Sequence, residues 1–160
     1  FEPLYDEIRN HPQMTYHGFV PNETLKEHLN QSHIFAYPCI WTETSCRAML
    51  EAMSAGNVCV HPNSGALPET SGCLNVMYHP DLTDLNAHAG VFAGNLAAAI
   101  DLVKEGNEKH MIHFNKAFVD SRYNMKFIEN RWNLTLERLM KDYPDAESRK
   151  FPKEMFSYKV

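Results

Sequence analysis

Two carboxylates, a helix start and a helix stop fall within residues 41–56. Glu43 precedes a Ser-Cys pair that reads as a helix opening, Glu51 lies inside that helix, and Gly56 ends it. A helix N-terminus carries unpaired backbone N–H groups and a partial positive charge, so Ser45, Cys46 and Arg47 form a candidate phosphate cradle, with the Arg47 side chain as a further contact. The Glu51 carboxylate suits a vicinal diol such as a ribose, and Glu43 suits sugar hydroxyls or positive charge developing on a sugar ring. Spacing alone favours a plainer reading, in which Glu43 caps the helix and a solvated Glu51 pairs with Arg47 four positions earlier.

Such a site needs a scaffold, and the chain has the means for one. With 160 residues, 44% of them apolar, it is long enough to bury the core of one domain. The expected division is a domain over residues 1–143 and a polar, proline-containing surface tail over 144–160, re-docked by Met155, Phe156 and Tyr158. The chain begins at Phe1 rather than methionine, which fits an excised part of something larger. A formal charge of -5 without any long Lys/Arg cluster argues against a nucleic-acid surface. Cys39, Cys46, Cys59 and Cys73 lack metal or redox spacing and read as reduced thiols. No apolar run approaches the roughly 20 residues of a membrane span and no leader is evident, so a cytoplasmic location is expected.

Taken in order, residues 3–10 suit a short helix and residues 14–17, closed by Gly18, a short strand. A loop with Val20 follows, then a helix capped by Asn22 with Leu25 and Leu29 on one face. Residues 34–37 form a compact apolar run, expected as a strand buried on both faces. The helix over residues 45–55 comes next, followed by a strand at 58–60, a turn-rich loop at 61–66 and a strand at 74–78. Residues 80–89 give no clear assignment. Helical spacing returns over 90–105 with Gly106 as the stop, again through Met111, Phe114 and Phe118, and last behind Asn124 with Ile128, Trp132, Leu136, Leu139 and Tyr143 on a face.

Strands alternating with helices predict an α/β fold, a Rossmann-like parallel sheet with helices on both faces. Ligands in such folds bind beyond the carboxyl ends of the strands, where the loops with Val20, with Glu43 to Cys46 and with Gly65 and Ala66 should meet. Against this, His110 and His113 are read as an uncoordinated pair with no metal assigned, and Cys46 as a small lining residue rather than a nucleophile.

The ordered series Tyr16-His17-Gly18-Phe19-Val20, Tyr37-Pro38, Glu43-x7-Glu51-Ala52-Met53-x-Ala55-Gly56 and Gly65-Ala66-Leu67-Pro68-Glu69 resembles the C-terminal half of GT-B glycosyltransferases, in particular the large retaining group called family 4. The resemblance covers roughly residues 14–105. It implies the incomplete donor-binding domain of a retaining hexosyltransferase, with Glu51 on the donor ribose and Glu43 facing the donor sugar. By the same resemblance Ser45, Cys46 and Arg47 amides hold the diphosphate, Val20 lies near the base, and Gly65, Ala66 and Glu69 form a loop beside the site. Thr44-Ser45-Cys46 stands where the family often has Gly-Phe-Gly, and Gly65-Ala66 replaces a glycine pair.

The resemblance further implies a nucleoside diphosphate sugar as substrate, no cofactor and no required metal. Its partner would be an N-terminal GT-B domain carrying the acceptor site, through which any membrane-surface association would run. The first strand of the domain and the basic residues that neutralise the leaving diphosphate would lie upstream of Phe1. The alternatives are a non-catalytic nucleotide-sugar-binding module and an unrelated flavodoxin-like domain.

Overall fold

A computed structural model describes residues 2–144, so the expected tail after residue 144, with Met155, Phe156 and Tyr158, lies outside the described residues. The elements in order are α1 (Glu2–Asn10), α2 (Asn22–Gln31), β1 (Ile34–Ala36), α3 (Arg47–Ala55), β2 (Val58–Pro62), α4 (Leu67–Thr70), β3 (Val76–Tyr78), α5 (Leu85–Lys104), α6 (Lys109–Arg122) and α7 (Met125–Asp142). The described residues divide within α6 into two compact units, 2–118 and 119–144.

The first unit is Rossmann-like α/β, built on a parallel sheet of order β1-β2-β3. Ile34 pairs with Val58 and Val60 with Val76, which fixes the register of the three strands. Every residue of the central strand β2 is buried. The expectation of a strand buried on both faces is therefore met by β2 and not by β1, whose residues are half-buried or exposed because it lies at the sheet's edge. Side chains alternate across a strand. Val58 and Val60 join Tyr78 and Ala99, with Phe92, Leu96 and Val103 of α5 packed around them. Cys59 falls on the opposite face, where burial, with Cys46 at the head of α3 adding to it, pushes its thiol up to about 12. Helices thus cover both faces.

Met49, Ala52 and Met53 of α3 are fully buried. Each methionine contributes about 1.5–3 kcal/mol by leaving water. At the far end of the helix Gly56, at φ +91°, turns the chain: its N–H donates to the Met53 carbonyl at 3.1 Å and that of Asn57 to the Ala52 carbonyl at 3.0 Å. A buried amide cluster pins α6 to the sheet. Asn75 and Asn115 donate to each other's Oδ1 at 3.1 and 2.9 Å, Asn75 Oδ1 accepts the Cys59 N–H at 3.0 Å, and Asn115 Nδ2 donates to the Asn57 carbonyl at 3.2 Å. The inward face of α6 accordingly runs through Met111, Ile112 and Asn115, while Phe114, expected on the stripe, is 56% exposed.

Residues 14–17 form no strand, contrary to expectation. The segment is exposed and its rings lie on helices instead, Tyr16 on Tyr5 at 4.9 Å between centroids and His17 on His28 at 4.1 Å. Alternation of residue type is not enough for a strand without a neighbour supplying the ladder. Residues 80–89, unassigned from the sequence, hold the start of α5. Asp84 caps it by accepting the N–H groups of Asn86 and Ala87 at 2.9 and 3.1 Å. The hydroxyl and amide of Thr83 hold the neighbouring Asp81 carboxyl below its usual range. In the second unit, Asn124 caps α7 by accepting the Phe127 N–H at 2.8 Å, as expected. No residue of α7 is buried. No helix among the described residues is long and apolar enough to cross a membrane.

His61 of β2 is fully buried, with Nδ1 3.0 Å from the Pro62 carbonyl and no described hydrogen-bond partner for Nε2. Burial lowers its pKa, so the ring stays neutral in the fold. Below about pH 6.5 an unfolded His takes up a proton that the buried one refuses, and stability falls as pH drops through that window, by at most about 1.4 kcal/mol per pH unit. Urea midpoints at pH 7.5 and 5.5 should therefore differ more for the natural chain than for His61→Leu; equal differences would show that His61 is not the proton-linked group.

Candidate functional site

Sequence places the two acids eight positions apart, and the structure gives them different surroundings within the first unit. Glu43 lies in the loop leaving β1, half-buried while its neighbours Trp41, Thr42, Thr44 and Ser45 are exposed. Its main chain is held by the loop leaving β2. The Ala66 N–H donates to the Glu43 carbonyl at 2.8 Å. Gly65, at φ +55°, comes so near that an added Cβ would sit 2.5 Å from the Glu43 carbonyl oxygen and 2.9 Å from its nitrogen. Only glycine fits there. Ala66 has φ -87° and ψ 5°, a bridge-region turn conformation of negative φ that a residue with a Cβ can adopt. The methyl group that distinguishes Gly65-Ala66 from a glycine pair thus stands where the backbone tolerates it.

The Glu43 carboxylate has a hold of its own, separate from that on the main chain. Tyr37, just beyond β1, donates its hydroxyl to Glu43 Oε1 at 2.6 Å. That bond is the main reason the Tyr37 phenol is pushed well above its ordinary range, with burial adding to it. Tyr37 stays protonated at working pH and acts as a donor.

The helix behind this loop opens two residues later than expected. Cys46 has extended dihedrals, φ -108° and ψ 91°, and is the N-cap of α3, so Ser45 lies outside the helix and Arg47 is its first residue. Cys46 makes no side-chain capping bond. The amides without an intrahelical partner therefore run from Cys46 to Met49, which keeps Cys46 and Arg47 of the expected cradle at the helix head and leaves Ser45 one residue before it. The Cys46 side chain is buried, and burial raises its thiol pKa, which suits a lining residue and not a nucleophile. None of the four cysteines is in a disulfide.

Glu51, on the second turn of α3, faces a groove of about 260 Å³ between α3 and α2, lined by Lys26, Leu29, Asn30, Ser54 and Ala55. Arg47 Nε reaches Glu51 Oε1 at 3.3 Å, the i,i+4 pair anticipated from spacing. The two side chains are 90% and 29% exposed, respectively, so the pair is weakly held and leaves the carboxylate available to a ligand. Lys26 has its pKa raised, chiefly by its bond to Glu23 at 2.8 Å, with the Glu51 charge adding to it. Lys26 and Asn30 were not singled out from the sequence, although their four-residue spacing puts them on one face of α2. Nor was Tyr37 read as a partner of Glu43.

Val20 is half-buried at the head of α2 and takes no part in the hydrogen bonds that join the other two loops. Glu69 is exposed on α4, the short helix that Ala66 caps. The arrangement brings Glu43, Gly65 and Ala66 into one junction beside the start of α3, and sets Glu51 with Lys26 and Asn30 in the adjoining α2–α3 groove. Chemically, one part offers a fixed carboxylate and helix-head amides, the other a carboxylate, an ammonium group and an amide side chain around a cleft.

A comparison with family models finds a match over residues 2–90 to the family described as "Glycosyl transferases group 1". No curated protein and no solved structure matches the chain.

Proposed function

The chain belongs to the group 1 glycosyltransferases, and from that premise we propose that it is the donor-binding half of a retaining enzyme that moves a hexose from a nucleoside diphosphate sugar to a glycan or lipid-linked acceptor. Membership removes the unrelated flavodoxin-like alternative. The observation that carries the proposal is the junction of the two loops. The Ala66 amide on the Glu43 carbonyl and the close approach of Gly65 hold the main chain of Glu43, and the Tyr37 hydroxyl its carboxylate, just before the head of a helix and beyond the carboxyl ends of parallel strands.

In this reading the departing diphosphate, which gains negative charge as the glycosidic bond breaks, is stabilised by the amides of Arg47 and Ala48 and by the Arg47 guanidinium. Glu51 takes the ribose diol, with Lys26 and Asn30 as neighbours in the groove. Glu43 touches the sugar and steadies positive charge on its ring. Val20 lines the base, and Thr44, Ser45 and Cys46 line the diphosphate path. The chemistry calls on no metal. Acceptor binding belongs to an N-terminal GT-B domain, which would also mediate any membrane-surface association, and the reading keeps the domain cytoplasmic.

Calorimetric titration of the chain with UDP, GDP and their glucose and mannose conjugates tests this. Saturable binding of one base series is expected, with little or no transfer by the chain alone. A folded chain that binds none of these nucleotides would sink the donor-site reading, and appreciable turnover without a second domain would sink its assignment as one half of the enzyme.

A further inference from the structure

We propose that Tyr37 is a positioning residue for the donor sugar, acting through Glu43: its hydroxyl fixes Oε1 of that carboxylate and leaves Oε2 as the oxygen a sugar hydroxyl meets. The inference rests on the donor-site reading above. At 2.6 Å the Tyr37–Glu43 bond lies in the short range of a hydroxyl donating to a carboxylate, roughly twice as strong as a bond between neutral groups.

The anchor itself is rigid. The Tyr37 N–H donates to the Val60 carbonyl at 2.9 Å, which ties it to the central strand. Its ring stacks on Phe35 at 5.6 Å between centroids and 23° between planes. Glu43 is fixed at its backbone by one loop and at its carboxylate by the end of a different strand, although Trp41, Thr42, Thr44 and Ser45 around it are exposed. A loop acid without such a hold would pay rotamer entropy on meeting a ligand, and pre-fixing it removes that cost. The bond uses the one hydrogen of the phenol, so Tyr37 has none left to donate to the sugar.

The alternative is that Glu43 merely satisfies a half-buried phenol. The two differ in what Tyr37→Phe does, since it keeps the ring and its stacking and removes only the hydroxyl. The test is calorimetric titration of the natural chain, Tyr37→Phe, Glu43→Ala and the double variant with UDP, UDP-glucose, GDP and GDP-mannose. Melting curves for each establish that it is folded.

For positioning, the ratio of nucleotide-sugar to bare-nucleotide Kd should rise about 3–10-fold in Tyr37→Phe, with bare-nucleotide affinity held within about twofold. In the double variant the ratio should match that of Glu43→Ala alone, because the hydroxyl acts only through the carboxylate. The proposal is overturned if bare nucleotide and nucleotide sugar weaken together, if the ratio does not move, or if the two substitutions add. Should the natural chain bind no nucleotide at all, the donor-site reading falls and this inference with it. Binding by the natural chain with an unmoved ratio overturns the role of Tyr37 alone.

Discussion

Glu51→Ala should weaken nucleoside diphosphate binding about 10–100-fold while leaving the melting temperature of the chain within a degree or two. The first half follows from what a carboxylate does for a diol: a hydrogen bond to a charged group is worth about 1.5–3 kcal/mol, and a vicinal pair of hydroxyls engages both oxygens. The second half follows from the surroundings of Glu51 in the free protein. Its partner Arg47 is almost fully exposed, and the pair spans one turn of a surface helix, so breaking it costs the fold little. Glu51→Gln separates charge from shape. The amide keeps one acceptor oxygen, and its Kd should fall between those of the natural chain and the alanine variant. If Glu51→Ala binds nucleotide as the natural chain does, while remaining folded by circular dichroism, Glu51 is the plain surface acid that its spacing with Arg47 suggests, and the ribose must be held elsewhere.

That prediction shows which parts of the site were legible in the sequence. The i,i+4 pair of Arg47 and Glu51 was readable because helix geometry is local. The same holds for Gly56 as a helix stop and Asn124 as a cap, whose partners lie within a few residues. The α/β class was legible as well, since alternating element types leave few ways to cover a sheet. The groove facing Glu51 was not legible, because Lys26 and Asn30 come from a helix some twenty residues upstream and only packing brings them there. The supposed strand at residues 14–17 failed for the converse reason. Its residue types suit a strand, but ladder partners are a tertiary fact, and its aromatic rings found the helices first. Asn75 and Asn115 could not be picked out at all, since their value lies in a bond across forty positions.

Gly65→Ala is expected to be the most damaging single methyl group that can be added at the site. It should lower stability by about 2–4 kcal/mol, a fall in Tm of roughly 5–15 °C for a chain of this size. Two costs combine. The φ of +55° is a conformation that residues with a Cβ adopt at a cost of about 1–2 kcal/mol. The new Cβ would also lie 2.5 Å from the Glu43 carbonyl oxygen, and because that atom is backbone, no side-chain rotation relieves the overlap. Gly106→Ala isolates the first cost. It shares a positive φ, +72°, at the end of α5, but its added Cβ meets nothing within 4 Å, so it should cost only about 1 kcal/mol. The difference between the two variants in urea unfolding is then the price of forcing the loops apart. Because that same displacement moves Glu43 from the Tyr37 hydroxyl, Gly65→Ala should also discriminate against nucleotide sugars under conditions where it is still folded. Equal destabilisation by the two substitutions would mean that the loop junction yields freely, and a carboxylate on so soft a support could not be the fixed sugar contact inferred for Glu43.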